Sequence, residues 1–272
     1  MKVKTRLWDG LILLIIASFL IIPLALTFLY SVFTEWMDIL PTGFTLSFYS
    51  EIFSDGAFIN SLLRSIVISF VPVLICTIAI LLVLYVITLY MPKLEKYVEI
   101  LCNIPYAIQG VILAVGVISL YSGRPGFLSN RIFLLVGAYC IIILPYTYRG
   151  LKNTIGALNV RCVIEAAQVL GCSKIHAFFA IVIPQMKRGI ISTMMLAFTM
   201  LFADFVVVNM IAGSAFRTAG IYLYQTMSKS GQLSSAIIVI LFVTTLIIST
   251  LTLIIQNKAK FTLTLQNFNK GK

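Results

Sequence analysis

Residues 165–184, EAAQVLGCSKIHAFFAIVIP, decide the fold and begin inside a predicted helix. The apolar residues of that helix recur at the spacing of a single helix face, namely Val160, Val163, Ile164 and Ala167. Asn159 stands at the N-cap position, and Gly171 can end the helix because glycine adopts a left-handed backbone without a Cβ clash. The pattern predicts a first short amphipathic helix.

A second short helix is expected directly after this glycine. Ser173 can cap it, and the apolar residues Ile175, Phe178, Phe179 and Val182 repeat the same helical spacing. Pro184 is expected to end this run before the next apolar segment. The small side chains of Ala166 and Ala167 leave room for a partner surface, and Glu165 can hold the first helix by a carboxylate contact. Two helices at a sharp angle therefore predict a docking element.

The composition places this element in an integral membrane protein. Of 272 residues, 60% are hydrophobic and 11% charged, and the mean hydropathy is +1.05, whereas soluble domains carry about 25% charged residues. Backbone groups that face lipid must be satisfied within their own helix, so the predicted fold is all-α and polytopic. Six segments are expected to span the bilayer: 10–33, 65–90, 100–121, 132–148, 190–213 and 234–256. Four prolines are expected to kink these spans rather than stop them: Pro23, Pro72, Pro105 and Pro145.

The distribution of charge predicts the orientation. If the N-terminus is cytoplasmic, most of the 20 Lys and Arg residues fall in cytoplasmic parts, as the positive-inside rule requires, and both termini are cytoplasmic. This asymmetry accounts for the net charge of +11, so no nucleic-acid partner is expected. The predicted organisation is a first transmembrane helix with an ordered outer loop (1–56), a transmembrane domain (57–256) with a cytoplasmic loop at about 149–189, and a cytoplasmic tail (257–272).

Catalytic and metal sites are not expected. The five cysteines form no C-x-x-C pair, and a single histidine, His176, cannot build a metal site alone. The sequence has no G-x-x-x-x-G-K-[S/T] phosphate loop and no Ser/His/Asp or Cys/His constellation. We therefore expect a protein that is not an enzyme and that binds no cofactor of its own.

The opening stretch carries a family resemblance. Glu165-Ala166-Ala167, three residues, Gly171, nine residues and then Ile181-Val182-Ile183-Pro184 resemble the EAA loop, E-A-A-x3-G-x9-I-x-L-P, with isoleucine for the leucine. This loop is typical of permease subunits of binding-protein-dependent ABC importers of the type I, MetI-like fold, in bacterial plasma membranes.

The resemblance implies that the loop docks in a groove of a separate ATPase. The residues implied in this coupling are Glu165, Ala166, Ala167, Gly171, Ile181 and Pro184. The implied partners are two copies of an ABC ATPase that binds the ATP, a second permease, identical or paralogous, an extracellular solute-binding protein and the lipid bilayer.

A single acid, Asp204, lies in the predicted fifth span, and an ionisable residue within the bilayer is a functional-site hypothesis. It could meet a cationic group of the cargo, with Asn209, Gln109 and Tyr146 as polar neighbours. Alternatively, it pairs with Arg64 and only locks helices together.

The sequence around Asp204, ADFVVVNMIAG followed by IYLYQTM, resembles permeases of the polyamine, ferric iron and aminoalkylphosphonate importers. The resemblance implies a translocation path for a small polar solute. The alternative is a self-sufficient secondary transporter or channel, for which inverted repeats and several intramembrane charges are expected.

Overall fold

The computed structural model describes residues 2–35, 42–108, 110–121 and 130–270, and these residues are almost entirely helical. The helices are α1 (Lys2–Ser31), α2 (Ser47–Ser54), α3 (Gly56–Leu89), α4 (Glu95–Asn103), α5 (Gly110–Tyr121), α6 (Arg131–Gly156), α7 (Val160–Val169), α8 (Lys174–Ala177), α9 (Ile183–Phe202), α10 (Val206–Ile211), α11 (Ala219–Met227) and α12 (Gly231–Lys270). Two short strands, β1 (Phe33–Glu35) and β2 (Thr42–Phe44), pair antiparallel. The predicted helical class is confirmed.

Four of the described helices are long and apolar enough to cross a membrane. The apolar segments are Ile12–Ser31 in α1, Gly56–Leu89, Arg131–Gly156, and Gly231–Leu251 in α12. The segment Pro92–Ala107 together with α5 is a fifth candidate, although its two parts are bent by 95°. The chain is thus a multi-pass membrane protein.

One compact unit contains Met1–Leu62 and Tyr222–Thr244. Its core is formed by the buried side chains of Ile52, Phe58, Ala236 and Ile237. Asp55 caps the start of α3 by accepting the N–H of Ala57 at 2.8 Å, and it also accepts the hydroxyl of Tyr222 at 2.5 Å. Asp55 thus connects the start of α3 to α11.

The other compact unit contains Leu63–Ile221 and Thr245–Lys272, and α6 and α9 pack closely within it. A Cβ on Gly150 of α6 would overlap the side chain of Thr193 on α9, and a Cβ on Gly189 would overlap Thr154 in the same way. Small residues at such positions let two helix backbones approach each other. Because α6 precedes the predicted docking loop and α9 follows it, both ends of the loop are held by this contact.

Two predictions about helix continuity are wrong, although Pro23, Pro72 and Pro145 do lie inside helices. Pro105 is not a kink within a helix, because α4 ends at Asn103 and a 3-10 turn, Ile104–Ala107, follows. Segment 190–213 is not one helix either, because α9 ends at Phe202 and α10 starts at Val206. The proline has no N–H to continue an α-helix, and Asp204 supplies a side-chain acceptor that competes with helical bonding.

Candidate functional site

The first helix of the predicted docking loop is α7, which buries the face that the sequence predicts. Val160, Ile164 and Ala167 are buried in the core of the Leu63–Ile221 unit, and Val163 packs against them. Asn159 does occupy the N-cap position, but its side chain makes no capping hydrogen bond. The buried face therefore holds α7 in place.

Gly171 ends α7 with the predicted left-handed backbone, at a φ of 85°. The N–H of Gly171 donates to the carbonyl of Gln168 at 2.9 Å, and the N–H of Cys172 donates to the carbonyl of Ala167 at 3.0 Å. This pair of bonds is a Schellman motif, which satisfies carbonyls at a helix end. The chain consequently turns sharply between α7 and α8.

The second helix agrees with the prediction only in part. Ser173 caps α8 as expected, because its hydroxyl accepts the N–H of His176 at 3.3 Å. Of the predicted apolar face, however, Phe178 and Val182 are buried while Ile175 and Phe179 are exposed. Three of these four residues, Phe178, Phe179 and Val182, lie in a π-helical turn formed by residues 178–182, in which side chains do not keep the angular spacing of an α-helix.

Pro184 does not end the second helix, so that prediction is also wrong. The helical backbone continues from α8 through the π-helical turn into α9, where Pro184 lies in the first turn. A proline there avoids disrupting the helix because the π-helical turn has already changed the bonding pattern before it.

The exposed end of the loop is formed by Glu165, Ala166, Val169 and Leu170, which we call the loop tip. Val169 is 87% exposed and Leu170 is 88% exposed. Ala167 is buried, so it contacts the chain's own core and leaves no room for a partner, contrary to expectation. Among the other predicted coupling residues, Gly171 and Pro184 are exposed and Ile181 is half-buried.

Asp204 lies in the break between α9 and α10, where it joins two elements. Its Oδ2 atom accepts the hydroxyl of Tyr139 from α6 at 3.0 Å and the N–H of Val207 at 3.2 Å. In the described part of the chain, Asp204 and Arg64 form no ion pair, and the Arg64 guanidinium lies 5.7 Å from the ring of Phe216. Asp204 therefore caps α10 and connects it to α6.

The polar neighbours proposed for Asp204 are not assembled around it in the described residues. Asn209 is exposed on α10, and Gln109 falls outside the described residues. Tyr146 instead packs edge-on against Tyr106, with ring centroids 5.2 Å apart. The sequence analysis missed Tyr139, although a tyrosine within an apolar span is a signal, since its buried hydroxyl requires a hydrogen-bond partner.

An ion-pair cluster that the sequence did not predict joins α4 to α6. The Lys152 ammonium lies 3.0 Å from a Glu95 oxygen and 2.8 Å from a Glu99 oxygen.

No group of three or more His, Cys, Asp or Glu side chains among the described residues could hold a metal ion.

Comparison with known proteins agrees with this architecture. The family described as "Binding-protein-dependent transport system inner membrane component" matches residues 40–260. A protein of Salmonella paratyphi A named as a 2-aminoethylphosphonate transport system permease, PhnV, is 22% identical over 226 residues, which cover 83% of this chain and 84% of that protein. A Mycoplasma pneumoniae homolog of the spermidine/putrescine permease PotC is 23% identical over 190 residues, covering 69% of this chain and 66% of that protein.

A solved structure extends the comparison to three dimensions. A chain of a bacterial alginate ABC transporter, in complex with an alginate pentasaccharide-bound periplasmic protein, superposes with a TM-score of 0.71. The match covers 92% of this chain and 93% of that chain at 15% sequence identity. At this identity the likeness establishes a shared fold.

Proposed function

We infer the function from the family: the chain belongs to the inner membrane components of binding-protein-dependent transport systems, the MetI-like permeases of ABC importers. Permeases of this family are generally non-catalytic, and the ATPase activity lies in a partner. We propose six spans, formed by α1, α3, the bent α4–α5 segment, α6, the broken α9–α10 segment and α12. Both termini are proposed to be cytoplasmic, with 57–256 as the transmembrane domain and 257–272 as a cytoplasmic tail.

In this proposal the loop tip docks on the ATPase, and residues 149–189 form the cytoplasmic coupling loop. The observation that carries the proposal is the contrast between the buried face of α7 and two adjacent apolar side chains, Val169 and Leu170, that are nearly fully exposed. Large apolar side chains that are exposed together at the end of a helix, while the rest of its apolar face is buried, are typical of an interaction site.

The predicted coupling residues take two different roles in this proposal. Glu165 and Ala166 contact the ATPase, and Gly171 shapes the turn that presents them. Ala167 and Ile181 hold the loop to the core of the permease, and Pro184 lies where the loop returns to the membrane.

The cargo is proposed to be a small polar solute of the polyamine, aminoalkylphosphonate or ferric iron class. The names of the PhnV and PotC relatives support the first two of these alternatives. Asp204, Asn209 and Gln109 are proposed to line the translocation path. The proposed assembly contains two ATPase copies that bind the ATP, a second permease, identical or paralogous, and an extracellular solute-binding protein.

The docking proposal is tested by placing a charge on the loop tip. We expect Leu170→Asp to weaken ATPase binding by about tenfold or more, because it removes an apolar contact and buries a carboxylate. Binding is measured by titrating the purified ATPase onto the permease in lipid nanodiscs. Leu46→Asp is the matched control, because Leu46, just before α2, is also an exposed leucine, at 56%, and lies outside the loop and outside the proposed spans. Equal ATPase affinity for both variants would reject docking through the loop tip.

A further inference from the structure

α3 is a continuous helix between two groups of contacts in the Leu63–Ile221 unit. From residue 63 to residue 89 it stays helical, with Pro72 inside it, and at about 1.5 Å per residue this part is roughly 40 Å long. Packed helices shift against their neighbours in conformational transitions, so a displacement applied at one end of α3 is carried along the helix toward the other end.

At its C-terminal end, α3 contacts the docking loop through aromatic rings. The ring of Tyr85 lies 4.9 Å from the ring of Phe178 and 6.4 Å from that of Phe179, as measured between centroids. The hydroxyls of Tyr85 and Tyr90 are 3.1 Å apart. Phe178 is fully buried in a close-packed core, so a movement of this residue displaces its neighbours, and the ring of Tyr85 is one of them.

A second contact joins the same end of α3 to α7. The Nε of Arg161 donates to the carbonyl of Thr88 at 3.4 Å, and the Arg161 side chain is otherwise exposed. Thr88 and Arg161 also line a cavity of about 330 Å³ between the helices. The cavity leaves space for α7 to shift against α3. The Tyr85–Phe178 ring contact and the Arg161 hydrogen bond connect the loop to α3 directly.

At the N-terminal end of the part 63–89, α3 contacts the segment that follows α10. The hydroxyl of Ser65 accepts the N–H of Ala219 at 2.9 Å in a buried position. One residue earlier on α3, Arg64 lies over the ring of Phe216. Residues 213–219, which provide both contacts, come directly after the helix that Asp204 caps.

We propose that α3 transmits displacement of the docking loop to segment 213–219, with Tyr85 and Arg161 as the positioning residues that connect the loop to α3. The proposal rests on the proposed docking of the loop on the ATPase. It assigns to Tyr85 and Arg161 a function in transport that does not require contact with either the ATPase or the cargo.

The test measures movement at the far end of α3, using the complex purified with its own ATPase in nanodiscs. Leu63→Cys, an exposed position on α3, is introduced after replacement of the loop cysteines by Cys162→Ser and Cys172→Ser. Its rate of labelling by a maleimide is compared with and without ATP plus orthovanadate, and labelling of the parent chain without Leu63→Cys is subtracted. We expect the rate to depend on the nucleotide.

Tyr85→Leu removes the ring contact, whereas Tyr85→Phe retains it. We expect Tyr85→Leu to reduce the nucleotide-dependent change in labelling rate by about twofold to tenfold, the range for loss of an aromatic pair, and Tyr85→Phe to restore it. ATPase affinity should stay within about twofold of the parent in both variants. Arg161→Gln should also reduce the nucleotide-dependent change in labelling rate. Because Arg161 is exposed, this substitution is not expected to cause misfolding. Lys187→Gln on α9 is its control.

The outcomes separate the two proposals. Transmission through α3 is overturned if the nucleotide-dependent change in labelling rate is the same in Tyr85→Leu and Arg161→Gln as in the parent. It is also overturned if the labelling rate does not depend on nucleotide while the ATPase is bound. Loss of ATPase affinity in both variants also overturns it, because the residues would then only shape the docking surface. If Leu170→Asp leaves the ATPase bound, the docking proposal itself fails.

Discussion

Gly171 allows a test in which backbone conformation alone is changed. Its φ of 85° lies in the left-handed region, and a Cβ added there would meet no atom within 4 Å. The substitution Gly171→Ala therefore introduces no clash, and its cost is that of a left-handed residue with a Cβ, about 1–2 kcal/mol. This free energy corresponds to a decrease of about fivefold to thirtyfold in the population of the native turn.

A second glycine near the same loop provides the matched control. Gly156, the last residue of α6, also has open space around its Cβ position, but its backbone is not left-handed. We expect Gly156→Ala to be neutral, or to stabilise the helix by about 0.5–1 kcal/mol. Gly171→Asn should destabilise the native turn less than Gly171→Ala does, because asparagine tolerates the left-handed conformation better.

The assay is the titration of purified ATPase onto the permease in nanodiscs, with intact membrane insertion verified for each variant. If the Schellman turn presents the loop tip to the ATPase, Gly171→Ala should raise the dissociation constant by about fivefold to thirtyfold, and Gly156→Ala should leave it unchanged. Equal dissociation constants for the two alanine variants would refute the argument that this turn shapes the docking surface.

Three further predictions concern the packing that holds the site. Asp204→Asn keeps an acceptor for Tyr139 and should barely change the thermal stability of the solubilised protein, whereas Asp204→Leu leaves that buried hydroxyl without its partner and should cost about 1–3 kcal/mol. Gly150→Ala forces a Cβ into a threonine of α9 and should cost about 1–3 kcal/mol in the same assay, whereas Gly137→Ala, with open space around its Cβ, should not. Lys152→Met removes the cation of two ion pairs, with Glu95 and Glu99, whose groups are partly exposed, so we expect a loss of less than about 1 kcal/mol, which decreases further when salt is added.

Local sequence patterns predicted the parts of the loop whose bonding is local. The buried face of α7, the left-handed Gly171 and the cap at Ser173 each depend on residues within a few positions along the chain. The π-helical turn at 178–182 could not be predicted in this way. The spacing of apolar residues was the only signal, and residues 178–182 are all apolar, so the sequence does not distinguish an α-helix from a π-helix there. Composition likewise predicted a membrane protein but not the bend between α4 and α5.

The break at Asp204 could not be predicted, because its cause lies partly in another helix. An interruption between α9 and α10 leaves backbone N–H groups without helical partners, and each such group is costly in a membrane unless another acceptor satisfies it. The Asp204 carboxylate accepts one of these N–H groups from Val207 and is itself held by Tyr139, which is 65 positions away in the sequence. These contacts give the acid a structural role even without cargo, so an acidic residue in a span is evidence for a transport path only when its charge matters beyond its ability to accept hydrogen bonds.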